Sequence, residues 1–252
     1  MSYHASGYGT LTTMPGASTS SAGEWEPDAE NWLSWARTPG FDAYWYFRDA
    51  FFDSILPHSG GRTLEIGCGE GRVTRDLVAR GHAVVAVDTA VTLVRHAVEA
   101  DAVAAYGVAD SAALPFPASS FDIVVAYNAL QVVGDMERTI AEAARVLSDR
   151  GALCACVAHP LTDLGEFTED AAPRLMVRPD YRDRRRVEET EHVAGHTMTF
   201  RGWTHSLEHY SLAPEAAGLR IEALREPRPA ASERYERWQG IPLFLNLRAI
   251  KS

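Results

Sequence analysis

The 252-residue chain is poor in cysteine. Its three cysteines, Cys68, Cys154 and Cys156, are an odd number, and the last two stand two apart in a stretch that is typical of a strand. Side chains two apart on a strand point to the same side, so these two cannot face each other. We therefore expect reduced thiols in a cytoplasmic protein and no disulfide framework.

Positive charge is also in short supply. Lysine and arginine number 24 against 34 aspartates and glutamates, which gives a formal net charge of -10. Such a field repels phosphate backbones and anionic lipid surfaces, so the sequence disfavours nucleic acid and membranes as partners. The apolar runs are only strand-length, and the N-terminus lacks the basic start and apolar stretch of a signal peptide. The oligomeric state is left open.

Three regions follow one another along the chain. Residues 1–24 are rich in Ser, Thr, Gly and Ala and predict a flexible tail, because they offer little apolar surface to offset the entropy of ordering. Residues 25–57 are dense in aromatics and predict a cap of two helices separated at Pro39-Gly40. In the second helix Asp42 is placed to cap the start, and one buried face is predicted from helical spacing: Tyr44, Phe47, Phe51 and Ile55. The aromatics of the cap either pack on the main domain or line a ligand cavity as a lid.

Residues 58–252 alternate short apolar runs with helical patterns. The runs include "RTLEIG", "AVVAVD", "FDIVVAYN" and "GALCACVAH", which lack strict alternation and so predict strands buried on both faces. Helices between such strands form right-handed crossovers in a parallel sheet. The fold class is therefore a doubly wound α/β domain, interrupted at about 160–205 by a segment of mixed charge that we interpret as an insertion.

A glycine-rich turn, "LEIGCGEGR", follows the first predicted strand of this domain. Its glycines stand at 67, 69 and 71, whereas the dinucleotide fingerprint G-x-G-x-x-G would require glycine where Arg72 stands, and the turn is no Walker loop either. Glu65, just ahead of the turn, would repel a diphosphate and suits a positively charged ligand. Asp88 ends the second predicted strand, "AVVAVD", where a carboxylate can accept hydrogen bonds from ribose hydroxyls. Asp110 ends the third predicted strand, "YGVAD".

These residues resemble a known family. The stretches "LEIGCGEGRVTRDLVARGHAVVAVDTA", "VADSAALPFPASSFDIVVAYNALQVV" and "RVLSDRGALCACVAHP" are similar to the successive motifs of class I S-adenosylmethionine-dependent methyltransferases with small-molecule acceptors. The resemblance covers about residues 62–160 and the closing strand "IPLFLNLRAIKS". It implies a mainly parallel, seven-stranded Rossmann-like sheet, whose seventh, antiparallel strand is "IPLFLNLRAI" paired with "LRIEALREP". It also implies S-adenosyl-L-methionine as the cofactor.

Carried over by position, the resemblance implies that the loop at Gly67 to Gly69 wraps the methionine part, with Glu65 near its amino group. Asp88 would then hold the ribose and Asp110 the adenine amino group. Ser111 would serve an adenine ring nitrogen through its backbone, and Asn128 the amino end through its carbonyl. Two members have alternatives: Cys68 could simply pack under the loop, and Arg72 is either a carboxylate partner or a charge on the helix surface. The full predicted cofactor set is Glu65, Gly67, Cys68, Gly69, Arg72, Asp88, Thr89, Asp110, Ser111 and Asn128.

The resemblance implies methyl transfer to a small molecule of the secondary-metabolite kind. A cyclisation or rearrangement catalysed on the same fold without methyl transfer is the alternative, and a non-enzymatic ligand-binding protein is a third. In each enzymatic case the protein's main task is to place an acceptor and to exclude water.

Candidate residues for binding the acceptor come from the end of the fifth predicted strand, "GALCACVAH", and from the aromatic and inserted segments on either side of the sheet edge. His159 ends this run and is a candidate general base, with a structural hydrogen-bonding role as the alternative. The histidine pairs His192/His196 and His205/His209 each have helical spacing, but the HExxH pattern is missing and no metal site is predicted. The predicted substrate-binding residues are Trp45, Tyr46, Trp203 and His205.

Overall fold

The computed structural model describes residues 12–13, 23–57, 60–100, 103–162, 165–167, 175–177, 181–193 and 195–252. The tail predicted at 1–24 therefore lies mostly outside the described residues. Within the described ranges, no helix combines the length and the apolarity that crossing a lipid bilayer requires.

One large sheet forms the centre of the molecule. Its strands are β1 (Thr12–Thr13), β2 (Arg62–Ile66), β3 (Ala83–Asp88), β4 (Ala105–Val108), β5 (Phe121–Tyr127), β6 (Leu147–Ala158), β11 (Leu219–Arg225) and β12 (Phe244–Lys251). Two hairpins lie between β6 and β11 in the chain, namely β7 (Gly165–Phe167) with β8 (Leu175–Val177) and β9 (Arg186–Val193) with β10 (His196–Trp203). The insertion predicted at about 160–205 therefore contains these hairpins.

Within the described residues, six helices accompany the strands. They are α1 (Ala29–Arg37), α2 (Tyr44–Ser54), α3 (Arg72–Ala79), α4 (Val91–Ala100), α5 (Met136–Val146) and α6 (Leu207–Ala216). Short 3-10 segments precede α1 at Glu26–Asp28 and lie between β11 and β12 at Glu233–Gln239. α3, α4 and α5 each lie between two strands of the sheet, as the alternation of apolar runs and helical patterns predicts.

The strand order is β1-β4-β3-β2-β5-β6-β12-β11, and the pairs from β1 to β6 are parallel. β12 runs antiparallel to both of its neighbours, β6 and β11. Apart from the two-residue β1, this is the mainly parallel seven-stranded sheet that the resemblance implies, with the antiparallel strand paired as expected. Strand order reverses between β2 and β5, and ligands of such sheets bind beyond the carboxyl ends of the strands at this reversal.

Both faces of the sheet are covered, which explains why its strands lack strict alternation. Buried residues of α2 to α4, such as Phe51, Leu77 and Val94, pack on one face. Ile140 of α5 and Tyr210 of α6 pack on the other. The three cysteines are free and buried.

The cap, residues 25–57, contains α1 and α2, which are separated around Pro39-Gly40. The N-cap of α2 is Ala43 and not the predicted Asp42, whose Oδ1 accepts a hydrogen bond from the Tyr44 backbone N–H at 2.8 Å. The predicted face of the second helix is buried to 1% exposure or less at Tyr44, Phe47, Phe51 and Ile55. The cap is therefore anchored on the α/β domain through this face, which leaves α1 to approach the edge of the sheet where the glycine loop lies.

Candidate functional site

The glycine loop leaves β2 in a conformation that glycine favours. Gly67, Gly69 and Gly71 have φ of 69°, 54° and 84°, in the left-handed region. A Cβ on Gly67 would lie 2.7 Å from the Cβ of Ala129, and one on Gly69 would lie 3.3 Å from Trp32 Nε1. Glycine is therefore required by the backbone angle and, at position 67, by the lack of space as well.

Asp88, the last residue of β3, holds the loop in place. Its Oδ2 accepts a hydrogen bond from the Gly69 N–H at 2.8 Å, and its Oδ1 accepts one from the Ala90 N–H at 2.9 Å. Burial raises the pKa of this carboxyl, although the backbone donors oppose the rise. Each oxygen retains capacity for a further donor, so the same carboxylate can hold a ligand hydroxyl.

Glu65 is a buried acid behind the loop. Its carboxylate accepts a hydrogen bond from the Thr74 hydroxyl on α3. Burial raises its pKa to about 8, with Asp88 and Glu70 adding to the rise and Thr74 opposing it. Burial therefore disfavours the charged carboxylate of Glu65, and a nearby cation would offset this free-energy cost.

Glu70 is a loop residue whose role the sequence analysis missed. Its buried carboxylate accepts hydrogen bonds from Arg75 of α3 at 2.9 Å and from Arg37 of α1 at 3.2 Å. The only signal in the sequence is an acid within the glycine loop, and its two arginine partners are recognised only in three dimensions. The arrangement ties the loop to the cap.

A cavity of about 690 Å³ lies beyond this sheet edge. Nine of the predicted cofactor residues line it: Glu65, Gly67, Cys68, Gly69, Arg72, Asp88, Thr89, Ser111 and Asn128. Asp110 is absent from the lining, but it is buried between Ala109 and Ser111, which both border the cavity. The structure therefore brings the predicted set together at one place.

Two of these residues carry buried polar atoms that have no hydrogen-bond partner within the described ranges. One is Asp110 Oδ2, an acceptor, and the other is Arg72 Nη1, a donor. The other guanidinium nitrogen of Arg72 pairs with Asp42 at 3.0 Å, and the group packs against the rings of Trp32 and Tyr44. Arg72 is therefore not a charge on the helix surface. An adenine amino group and a carboxylate are the kinds of partner these two atoms lack, so the site fits S-adenosylmethionine.

The cap and the second hairpin together roof the cavity. Arg201 of β10 donates to Asp28, and Arg186 of β9 pairs with Glu24 at 2.9 Å. Phe200 of β10 packs edge-on against Trp32 and Trp35 of α1, with ring centroids 6.4 and 5.6 Å apart. Two segments far apart in sequence thus meet above the site, and aromatics of the cap serve both as packing and as cavity lining.

The half of the cavity away from the glycine loop, here called the acceptor chamber, is mainly aromatic. Its walls come from α1 and the residues after it, from the second hairpin and from the segment between β11 and β12. The sequence offered the aromatics of the cap as one possible lining, but the segment between β11 and β12 was not identified. The signal available was the aromatic content of that segment, "RYERWQ". The chamber is lined by Trp35, Phe41, Val187, Glu189, Glu191, Phe200, Trp203, Arg234, Tyr235, Trp238, Leu243 and Phe244.

Of the predicted substrate-binding residues, the structure brings only Trp203 to the chamber. Trp45 is 38% exposed, because the buried face of α2 turns it outward. Tyr46 packs on Tyr235 and donates its hydroxyl to the Gly40 carbonyl, outside the described lining. His205 is buried against His209, with the two Nδ1 atoms 2.9 Å apart, and it is not among the residues that line the described cavity.

His159 does not border the described cavity. Its Nδ1 accepts the Leu161 N–H at 3.0 Å, and its Nε2 lies 3.0 Å from Glu226 Oε1. Burial lowers its pKa, and Glu226 partly opposes this. Both ring nitrogens of His159 have protein partners, as a structural hydrogen-bonding role would require. The catalytic role stays a prediction.

The histidine pairs do not converge on a metal site. His192 and His196 lie on the two strands of the second hairpin, not on one helix face, because Gly195 forms the turn between them. Within the described residues, no group of three or more His, Cys, Asp or Glu side chains is arranged to hold a metal ion.

Comparison with known proteins places this site in a family. Residues 64–155 match a family model described as a methyltransferase domain. Over 121 residues the chain is 31% identical to a probable S-adenosylmethionine-dependent methyltransferase of Mycobacterium tuberculosis, a match covering 47% of this chain and 44% of that protein. Over 195 residues it is 28% identical to the 27-O-demethylrifamycin SV methyltransferase of Amycolatopsis mediterranei, covering 74% of this chain and 66% of that one.

The fold agrees with this assignment. A crystal structure of an S-adenosylmethionine-dependent methyltransferase from Mesorhizobium loti superposes with a TM-score of 0.68 at 22% identity, covering 83% of this chain and 98% of that one. The chain spans less than half the length of several curated relatives that it matches, 41% and 44% in two of them. The motifs, the fold and the family model agree: residues 64–155 form a methyltransferase domain of the class I S-adenosylmethionine-dependent kind, whose cofactor is S-adenosyl-L-methionine.

Proposed function

We propose that this protein transfers a methyl group from S-adenosylmethionine to a small-molecule acceptor of the secondary-metabolite kind. The observation that carries the proposal is the cavity itself. It runs without interruption from the glycine loop and the acid at the end of β3 to an aromatic chamber under a roof. A cavity of about 690 Å³ is within the range for small-molecule sites.

The cofactor supplies a methyl group that its sulfonium has already activated. On the protein side, Asp88 would accept the ribose hydroxyls, Asp110 Oδ2 the adenine amino group and Arg72 Nη1 the carboxylate. Glu65 would face the amino group across the loop. These assignments are supported by cavity lining for Asp88, Arg72 and Glu65, and by the unpaired buried atoms of Asp110 and Arg72.

The acceptor side works by placement. Aromatic walls and the roof of α1 and the second hairpin exclude water and restrict the acceptor's orientation, which lowers the entropic cost of reaching the transition state. By its printed name, the relative from Amycolatopsis mediterranei acts on a demethylated rifamycin. That relationship supports a natural-product acceptor for this chain.

Product mass tests the proposal against the alternative of a rearrangement. The purified protein is incubated with methyl-labelled S-adenosylmethionine and a panel of extracts and candidate acceptors. We expect a labelled product heavier by one methylene, with S-adenosylhomocysteine formed in equal amount. A product isomeric with its substrate and no S-adenosylhomocysteine would favour the cyclisation or rearrangement. Failure of the folded protein to bind either form of the cofactor would reject both.

Glu65 gives a prediction for the ligand-free protein that depends on pH. Its pKa rises from 4.5 in the unfolded chain to about 8 in the fold, so the folded state binds the extra proton between these values. Stability from this group is therefore fully present below pH 4.5 and is lost as the pH rises through 8. We expect the free energy of unfolding of the wild type to fall relative to that of Glu65→Gln between pH 6 and pH 9.

Urea denaturation of both proteins at the two pH values measures this difference. Groups that titrate alike in both proteins contribute equally to the two free energies of unfolding, so their effects cancel in the difference. Glu142→Gln is the control, because the pKa of Glu142 is lowered by its hydrogen bond from Arg145 and its charged form is favoured throughout this range. Parallel curves for wild type and Glu65→Gln would contradict the raised pKa.

A further inference from the structure

The acceptor chamber contains a carboxylate that lacks a partner. Alternate residues of β9 face the chamber, among them Glu189 and Glu191. Glu191 is half-buried, and its carboxylate makes no hydrogen bond or salt bridge with any residue in the described ranges. Burial raises the pKa of Glu191, the charge of Glu189 raises it further, and Asp42 adds a smaller effect. The chamber therefore holds a desolvated acid that a cation would stabilise.

The positive groups near Glu191 compensate it only in part. From the 3-10 segment, Arg234 lowers the pKa of Glu191, but its guanidinium stacks over Phe41 with its Cζ 5.1 Å from the ring centroid. Arg72 is committed to Asp42 at 3.0 Å. Glu189, on the same strand, is exposed, lines the cavity and forms no salt bridge with a described residue. An anionic acceptor would meet net repulsion here.

The aromatic walls of the acceptor chamber also suit a cationic ligand. Ring faces attract cations, and several rings border the chamber: Trp35, Phe41, Phe200, Trp203, Tyr235 and Phe244. They also provide the apolar area that a flat hydrophobic body requires.

A second feature of the same cavity points to a ligand with polar groups. The hydroxyl of Tyr127, a residue only 6% exposed that lines the cavity, is buried without an oxygen or nitrogen partner in the described part of the chain, and its polar neighbour is the thiol of Cys156. A thiol is a weak hydrogen-bonding group, so a polar oxygen or nitrogen of a ligand would be a better partner for this hydroxyl.

We propose that the acceptor is a small aromatic amine: a flat apolar body carrying a basic amino group, which is bound as a cation by Glu191 with Glu189. The inference rests on the proposed function for its meaning as an acceptor, because the same cavity must also hold the cofactor. It concerns recognition of the amino group and applies whichever atom receives the methyl.

Three fragments of matched shape and different charge test the inference. They are 2-phenylethylamine, 2-phenylethanol and 3-phenylpropanoate, titrated by calorimetry into the protein saturated with S-adenosylhomocysteine and, in parallel, into the ligand-free protein. We expect the amine to bind at least about tenfold more tightly than the alcohol, as a charge-assisted contact provides, and the carboxylate to bind most weakly.

Glu191→Gln should reduce the preference for the amine over the alcohol to about threefold or less, because it removes the charge and keeps the shape. Glu215→Gln, which removes an equal charge from the exposed surface of α6, should leave the preference unchanged. Equal affinity for the amine and the alcohol, tighter binding of the carboxylate, no binding of any fragment, or an unchanged preference in Glu191→Gln would each overturn the inference. Binding of S-adenosylhomocysteine is measured separately. If the protein does not bind it, the proposed function is rejected, while the titrations into the ligand-free protein still test the preference for the amine.

Discussion

Replacing Asp88 with alanine is expected to weaken S-adenosylhomocysteine binding by at least about tenfold. A charge-assisted hydrogen bond contributes roughly 1.5 to 3 kcal/mol, and the proposed ribose contact is of this kind. The substitution also removes the acceptor of the Gly69 and Ala90 backbone N–H groups, so the loop would lose two of its restraints. Both effects reduce affinity.

Calorimetry with S-adenosylhomocysteine measures the change, and denaturation separates loss of binding from loss of folding. Asp88→Asn is the conservative companion, because it keeps one acceptor oxygen and the shape of the side chain. We expect it to lose affinity while remaining folded. Asp149→Asn is the matched control, since Asp149 is exposed near the start of β6 and does not line the cavity. Unchanged affinity in folded Asp88→Ala would refute the ribose assignment.

Replacing Gly67 with alanine is expected to destabilise the protein and to abolish most of its cofactor affinity. The backbone at Gly67 has a φ of 69°, which costs a residue with a Cβ roughly 1 to 2 kcal/mol. The new Cβ would also lie 2.7 Å from the Cβ of Ala129, which is attached directly to the backbone and cannot rotate away. Relief of such overpacking costs about 1 to 3 kcal/mol more and shifts the loop.

The chain offers a matched control for the backbone angle alone. Gly81 has a φ of 86°, and an added Cβ there would meet no atom within 4 Å. Gly81→Ala should therefore show only the cost of the left-handed conformation and should bind S-adenosylhomocysteine normally. The difference in unfolding free energy between the two variants, measured in urea, should be about 1 to 3 kcal/mol. Equal stability and equal affinity of the two variants would contradict the close approach of the loop to Ala129.

The α/β domain and the cofactor end of the site could be predicted because their signals are local. Strand, glycine turn and helix follow one another in the chain, and acids at the ends of parallel strands must meet at one edge of the sheet. Glu65, Gly67 and Asp88 were identified in this way. The segment around Asp110 was also identified, but only the structure reveals that one of its carboxylate oxygens is buried without a partner.

The acceptor side could not be predicted to the same degree. Residues 186–203 and 233–239 approach the cap only through tertiary contacts, such as Arg201 with Asp28 and Phe200 with Trp35. Trp45 and Tyr46 were chosen because they lie off the buried face of their helix. However, a side chain off that face points to solvent or to a neighbour as readily as to a cavity. Periodicity identifies which face is buried and says nothing about what covers the others.

The sequence by itself determined the doubly wound sheet, the glycine loop, the acids at its strand ends and the kind of cofactor they suit, since each depends on neighbours in the chain. Only the tertiary structure decided which aromatics enclose the acceptor, that Arg72 is buried against Asp42, and that Glu191 faces the chamber unpaired. The physical reason is that burial and pairing of a side chain depend on segments that meet in space from far apart in the chain. Such meetings leave no period or spacing in the sequence.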